Sequence, residues 1–400
     1  MTQLNEAFLV SGARTPVGKY GGALSSVRPD DLAALVIRQV VTDAGIDPAD
    51  VDEVILGNAN GAGEENRNVA RMAWLLAGFP DTVPGMTVNR LCASGMSAIS
   101  VATAMVRSGQ ADIIVAGGVE SMSRAPWVTE KPKSAFAKPG ETFDTSIGWR
   151  FVNPVFAAQE KMTLSMPETA EEVARQFNVT REQADQFAVA SQAKAAAAMA
   201  AGHFDAEIVP VEVTDRKGNV TAVTRDEGPR PGTTTEALAK LRPVVDRVVT
   251  AGNSSTLNDG ASAVIVASEA AVERYGLTPR ARVVASTQTG LHPSIMGMGP
   301  VEASRMALER AGWSMDSLDA VELNEAFATQ SVACMKEMGV DPEIVNAWGG
   351  AIALGHPLGS SGARITVTLL NRMEQGDLRR GLATMCVGVG QGTALLVEKV

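Results

Sequence analysis

The sequence predicts an α/β protein made of two repeated halves, stacked as layers of helices and sheets, with a long excursion between the halves. Two observations predict it: an internal repeat at a constant offset, and an alternation of strand-like and helix-like patterns inside each copy. Residues 43–59, DAGIDPADVDEVILGNA, match residues 310–326, RAGWSMDSLDAVELNEA, at an offset of 267, which places Gly45 on Gly312, Asp52 on Asp319, Val54 on Val321 and Leu56 on Leu323. At the same offset Ser94 and Gly95 fall on Ser361 and Gly362, and Gly109 on Gly376. After that, a three-residue insertion aligns IIVAGG, 113–118, with TMCVGVG, 384–390.

In the first copy FLVSGA opens as a strand, and DDLAALVIRQVVTDAG carries the 3.6-residue periodicity of a helix. VDEVILGNA is a strand, SGMSAISVATAMVRSG a helix, and ADIIVAGG a closing strand. Alternating units with Val- and Ile-rich strands imply a parallel or mixed sheet covered by helices. Residues 1–120 together with 249–272 form the expected first half, and 273–400 the second. Between them, over 121–248, Pro, Lys and Thr collect in APWVTEKPKSAFAKPGETF, and a long Ala-rich helix, REQADQFAVASQAKAAAAMAAG, follows. Insertions of this length at the mouth of an α/β sheet commonly cover a binding site. Lys194, Arg225, Arg230, Lys240 and Arg242 within it suit an anionic ligand, although each taken singly fits a solvated surface better.

Four hundred residues that are 45% apolar and 20% charged exclude a disordered chain or a fibrous repeat. A net charge of −10 with only 10 Phe, 5 Trp and 2 Tyr is ill suited to a phosphate backbone, so no nucleic-acid partner is expected. No apolar run reaches the roughly 18–20 residues that span a bilayer, and Glu6 stands where a secretory leader is basic. A cytoplasmic protein with no membrane partner is the expectation. Cys92, Cys334 and Cys386 lie far apart, with no CxxC and only three histidines beside them, so neither a disulfide framework nor a metal site is expected.

Three places have the residue types for catalysis. Cys92, in TVNRLCASGMSAIS, precedes a helix that begins near Ser94. Free N–H groups and the helix dipole there favour a thiolate, lowering the thiol from its usual value of about 8.5, and Ala93, Ser94 and Gly95 leave room for a substrate. An isolated cysteine more often packs a core; the second half alters that balance. His356, in NAWGGAIALGHPLGSSGARI, sits among Gly349, Gly350, Gly355, Gly359 and Gly362, which allow close backbone approach, with Pro357 fixing the next turn. The repeat places its loop at the pseudo-symmetric counterpart of the Cys92 loop, where a neutral imidazole can take a thiol proton. Cys386 is followed by Gly388, Gly390 and Gly392, but no helix follows, so the run fails as a dinucleotide fingerprint and better suits an oxyanion hole of backbone N–H groups. His203, His292 and Cys334 lack such settings and are expected to be loop or packing residues.

The segments NRLCASGMSA, GGVESMS, TAGNSSTLNDGASA, ELNEAFA, NAWGGAIALGHPLGSSGARI and CVGVGQGTALL resemble the signature stretches of the thiolase family, in order and over essentially the whole chain. The resemblance implies a thiolase fold of two mixed five-stranded sheets, two outer helical layers, one central helical layer and a loop domain for coenzyme A. It implies an acyltransferase with coenzyme A as co-substrate, no permanently bound cofactor, and a homodimer or homotetramer. Carried over by position, Cys92 resembles the acyl-accepting nucleophile, His356 its base, and Cys386 the acid/base at the α-carbon of acetyl-CoA. Asn324 resembles the residue that positions an oxyanion-hole water, and Gly388 and Cys92 resemble backbone donors of a second hole. Ser255, Arg230, Met166 and Phe327 resemble coenzyme A contacts.

GNANGAGEENRNVARMAWLLAG, GGVESMSRAPW, IGWRFVNP and SMPETAEEVA further resemble the branch acting on 3-oxoadipyl-CoA in aromatic-compound catabolism. Ser165-Met166-Pro167 and Ala93 depart from the His-Met-Gly stretch and the glycine usual in acetoacetyl-CoA thiolases, and Val245 stands where some relatives place an aromatic near the adenine. Arg124 and Arg150 are the candidate cations for a distal substrate carboxylate. A decarboxylating 3-ketoacyl synthase needs two catalytic histidines in the second half, where only His356 qualifies. A non-catalytic acyl-CoA-binding relative has no reason to keep both Cys92 and Cys386.

Overall fold

The computed structural model describes residues 4–400. The first half runs β1 (Ala7–Arg14), β2 (Gly18–Lys19), α1 (Pro29–Ala44), β3 (Glu53–Gly57), α2 (Val69–Leu76), β4 (Gly85–Val88), α3 (Ser94–Arg107) and β5 (Ile113–Ser121). The excursion contributes β6 (Trp127–Thr129), β7 (Thr142–Asp144), α4 (Pro154–Ala157), α5 (Met166–Phe177), α6 (Arg181–Ala200), β8 (Val211–Thr214), β9 (Val220–Val223) and α7 (Thr235–Ala239). The chain returns through β10 (Asn258–Ser268) and α8 (Glu269–Tyr275). It then repeats as β11 (Ala281–Gly290), α9 (Gly299–Ala311), β12 (Ala320–Leu323), α10 (Ala328–Met338), α11 (Ala351–Leu354), α12 (Leu358–Gln375), β13 (Arg380–Val387) and β14 (Gln391–Lys399).

The repeat is written in hydrogen bonds as well as in residue types. Asp52 Oδ2 accepts from the backbone N–H groups of Asp112 and Ile113, at 2.7 and 2.9 Å. Asp319 Oδ2 accepts from those of Arg379 and Arg380, at 2.9 and 2.8 Å. Helices α1 and α9 both end on a left-handed glycine, Gly45 and Gly312, each at φ 66°. Strand register extends the same offset further than expected: Leu56 pairs with Gly117, and Leu323 with Thr384, in parallel ladders. The expected three-residue insertion is therefore absent. Glycine-rich strand ends such as VAGG and VGVG look alike without being in register, and Cys386 is the structural counterpart of Val119.

In the main sheet the strand order is β12-β13-β14-β11-β1-β10-β5-β3-β4, with β2 paired to β10. Two half-sheets are joined where β1 meets β11 through only Phe8–Arg282 and Leu9–Ala281. The first half supplies five strands of this order and the second four, in place of two separate sheets of five. The missing strand is reduced to a bridge from Val321 to Val345. There Asn346, at φ 45°, turns the chain away, and its side chain takes over the ladder: Leu323 N–H donates to Oδ1 and Nδ2 donates to Leu323 O, both at 2.8 Å.

Helices α1 and α2 cover the outer face of the first half-sheet, and α9 and α10 that of the second. Between the half-sheets lie α3 and α12, with Met96, Ile99, Ile114, Leu369 and Leu395 in one buried cluster. Their backbones nearly touch: a Cβ added to Gly95 would lie 2.7 Å from Gly359 O, and one added to Gly362 would collide with Met96 N. Strands β5 and β10 are buried along their whole length, which suits the apolar stretches Ile113–Ala116 and Ala263–Ala267 within them. Among the described residues no helix is long and apolar enough to cross a membrane.

A buried charge cluster ties the excursion to this frame. Arg14 Nε meets Glu207 Oε1 at 2.6 Å, and its two terminal nitrogens meet Asp226 at 2.7 and 2.9 Å. Glu207 also accepts from Asn371 Nδ2, at 2.7 Å, and Thr368 Oγ1, at 3.1 Å, on α12. Arg14→Ala leaves two buried carboxylates without a counter-charge and is expected to lower stability by about 3–5 kcal/mol. A melting temperature equal to that of the parent would show that the cluster does not anchor the excursion.

Candidate active site

Cys92 is presented by a tight elbow. Strand β4 ends at Val88, Asn89 Oδ1 accepts from Leu91 N–H at 2.8 Å, and Leu91 sits at φ 47° before one turn of 3-10 helix over Leu91–Ala93. Ser94 locks the turn, its Oγ accepting from Arg90 N–H at 2.9 Å and donating to Leu91 O at 2.7 Å. Cys92 is thereby left half-buried just before α3, lining a cavity of about 340 Å³. Leu91, Leu358, Gly388 and Val389 line it from the two halves. Ala59 and Asn60 line it from the loop after β3, and Thr145 to Arg150, Ser165 and Met166 from the excursion.

The expected low thiol pKa is not found. Burial pushes the Cys92 thiol up to about 11, and the nearby Glu120 carboxylate adds to this against a hydrogen bond from Gly388 N–H. Position at a helix N-terminus was legible in the sequence; burial and Glu120 were not. Cys386, at the end of β13, is buried, and its thiol is raised well above the ordinary range by burial first and by Cys92 second.

His356 is 4% exposed, and burial, aided by the Arg364 charge, brings its imidazole down to about 3. Its tautomer follows from its neighbours. Ser361 Oγ donates to Pro357 O at 2.9 Å, so it must accept from His356 Nδ1 at 2.6 Å. Nδ1 thus carries the hydrogen and Nε2 holds a free lone pair, toward which Asn324 Nδ2 donates at 3.4 Å. Asn324 Oδ1 is buried without a protein partner among the described residues, which leaves it open to a water or a substrate group. The resting pair is a neutral thiol and a neutral imidazole.

Several buried carboxylates in the quoted motifs escaped sequence reasoning, and two of them, Glu120 and Glu325, knit together segments around the site. Glu120, in GGVESMS, accepts from the N–H groups of Ala59, Asn60 and Gly359, at 2.9, 3.2 and 2.8 Å, and so clamps the loop after β3 to the loop behind His356. Burial raises it to about 7 despite those donors. Glu325, in NEAFA, accepts from Ser191 Oγ, Asn346 Nδ2 and Ile352 N–H, at 2.6, 2.8 and 3.1 Å, joining α6, the Asn346 turn and α11. An acid inside an apolar run is the signal that would have found both.

The other expected residues divide. Met166 lines the Cys92 cavity, and Met166, Phe327 and Cys386 share one apolar cluster. Ser255 is adjacent, its N–H donating to Ala326 O at 3.0 Å, but it does not line the cavity. Arg230 is exposed and stands at a separate small cleft with Lys19, Gln192 and Thr256. Val245 lines another surface cleft with Glu171 and Arg247. Arg124 is held bidentately by Glu64, whereas Arg150 lines the Cys92 cavity. Cys334 is fully buried in packing, His203 stacks on Trp348, and His292 caps a short turn.

Family models described as thiolase N-terminal domain and thiolase C-terminal domain match residues 7–270 and 277–399. The chain is 55% identical over 400 residues to the beta-ketoadipyl-CoA thiolase of Pseudomonas aeruginosa, with 99% of each chain covered. It is 52% identical over 402 residues to the 3-oxoadipyl-CoA/3-oxo-5,6-dehydrosuberyl-CoA thiolase of Escherichia coli strain K12, with 99% of this chain and 100% of that one covered. The crystal structure of the Bacillus anthracis acetyl-CoA acetyltransferase matches with a TM-score of 0.93 and 40% identity over 100% of both chains. Two family models that together span residues 7–399, and relatives matched over their full length, place the chain in the thiolase family of acyltransferases.

Proposed function

We propose that this thiolase cleaves 3-oxoadipyl-CoA with coenzyme A, giving succinyl-CoA and acetyl-CoA through an acyl-enzyme on Cys92. The observation that carries the substrate is the 52–55% identity, over the full length, to enzymes named for 3-oxoadipyl-CoA (beta-ketoadipyl-CoA). The excursion, 121–248, covers the coenzyme A site, with Met166, Phe327, Ser255 and Arg230 along it. The halves 1–120 with 249–272, and 273–400, carry the reacting groups. A cytoplasmic homodimer or homotetramer completes the reading; three free cysteines suit a reducing compartment.

The Cys92 sulfur attacks the 3-carbonyl carbon while His356 Nε2 takes its proton, so no free thiolate has to exist beforehand. The bond between C2 and C3 then breaks and its electron pair forms the enolate of acetyl-CoA. Protonated Nε2 and an Asn324-held water face the enolate oxygen, and the Cys386 thiol gives its proton to C2. The backbone N–H groups of Cys92 and Gly388 receive the oxyanion at the former C3. In the second half, Cys386 thiolate takes the proton of the coenzyme A thiol, whose sulfur attacks the succinyl thioester, and Cys92 leaves with the proton returned by His356. Two anions of different placement need two sets of donors, and removal of one donor costs about 2.7–4 kcal/mol of barrier.

Intact-mass measurement after mixing with 3-oxoadipyl-CoA alone is expected to show a succinyl adduct that Cys92→Ala does not form; turnover by that variant would end the proposal. Cys386→Ser is expected to slow α-proton exchange of acetyl-CoA by about 10²–10⁴-fold while leaving Cys92 acylation less affected. Equal losses in the two assays would remove Cys386 from the proton-transfer role. The pH profile follows from His356: the base works above its pKa, and at about 3 it stays neutral through pH 5. An unperturbed histidine would lose roughly thirtyfold of its basic form at pH 5. Glu120, raised to about 7, titrates in the same window as an ordinary imidazole, so the ring of His356 is followed directly: its NMR signal is expected to stay that of a neutral imidazole from pH 7 to 5, and a ring titration centred near 6.5 would contradict the buried, neutral base.

A further inference from the structure

The cavity that holds Cys92 contains one charged side chain, Arg150. Its remaining lining is apolar or glycine, apart from Asn60, Thr145, Ser146 and Ser165. The guanidinium makes a single side-chain hydrogen bond, from Nη2 to Asn60 Oδ1 at 3.3 Å, and among the described residues no carboxylate stands within ion-pair distance of it. Most of its five N–H donors therefore lack a protein partner. Arg150 is half-buried at the wall of this recess, so an acyl chain that displaces the surrounding water leaves the guanidinium satisfied only if it brings an anion. Arg124, the other candidate, is unavailable: Glu64 occupies it at 2.5 and 2.7 Å, beside a different surface recess.

Arg150 is also held in place. Asn60 is 8% exposed, and its Nδ2 donates to Thr145 O at 3.1 Å and to Thr145 Oγ1 at 2.9 Å, which turns Oδ1 to the guanidinium. Asn60 N–H donates to Glu120, the same carboxylate that grips Gly359 behind His356. On the other side, Trp149 Nε1 donates to Leu164 O at 3.2 Å. The cation is thus built into the same strut as the catalytic loop.

We propose that Arg150, held by Asn60, receives the distal carboxylate of the acyl chain carried by Cys92 and makes the enzyme selective for 3-oxoacyl-CoA substrates that end in a carboxylate. This inference rests on the 3-oxoadipyl-CoA reading above and supplies its recognition element. An acid-ended chain gains a charge-assisted, fork-shaped pairing. A methyl-ended chain of equal length leaves the guanidinium desolvated and unpaired, and a site built for a polar group discriminates strongly against an analogue lacking it.

The test compares kcat/KM for 3-oxoadipyl-CoA and for 3-oxohexanoyl-CoA, which has the same six carbons and a methyl end, in the parent, Arg150→Gln and Arg150→Lys. The parent is expected to favour the acid by at least about tenfold. Arg150→Gln is expected to reduce that ratio about 10–100-fold, mainly through KM for the acid, and Arg150→Lys to restore part of it. A parent that favours the acid while Arg150→Gln keeps the ratio, or loses activity equally on both substrates, overturns this inference alone. A parent that favours the methyl-ended chain overturns the 3-oxoadipyl-CoA reading and this inference with it.

Discussion

The close approach of α3 and α12 is the constraint on which the site depends. Each helix starts at one of the two loops that carry Cys92 and His356, and the helices cross with backbone against backbone. That crossing requires Gly95, Gly359 and Gly362, because a single Cβ at any of them would meet main-chain atoms of the other helix, the neighbouring strands or their loops. Leu358, at the first turn of α12, consequently lines the cavity floored by Cys92. The repeat supplies the geometry: two copies of one unit, packed face to face, deliver two helix N-termini to one place.

Buried carboxylates hold what this crossing brings together. Glu120 and Glu325 each accept three hydrogen bonds from segments distant in sequence, and each is paired by N–H or O–H donors, not by a cation. Such a group is favourable only while all its donors remain in place, so it makes the surrounding loops cooperative. Arg14 does the same for the excursion with opposite charge. The walls of the cavity, contributed by both halves and by the excursion, are therefore parts of one rigid frame.

The alternation of strands and helices, and the repeat, were legible because central strands such as β5 and β10 are buried on both faces while outer helices such as α1 and α9 have one buried stripe. The Cys92 elbow and the His356 loop were legible because small residues cluster there. Long-range electrostatics were not. Nothing near Cys92 in the sequence announces Glu120, and nothing near Arg124 announces Glu64, 60 positions away, so the rise of one thiol and the occupation of one arginine needed the fold. Asn346 imitates a strand with its side chain, which no periodicity records. The misplaced insertion arose because two glycine-rich strand ends resemble each other whatever their register.

Two thiols raised by burial have a consequence for chemical durability. Peroxides and electrophilic metabolites react with ionised sulfur, and the rate follows the ionised fraction. Burial holds the Cys92 and Cys386 thiols above their ordinary range, which lowers the ionised fraction that such reagents meet at either sulfur.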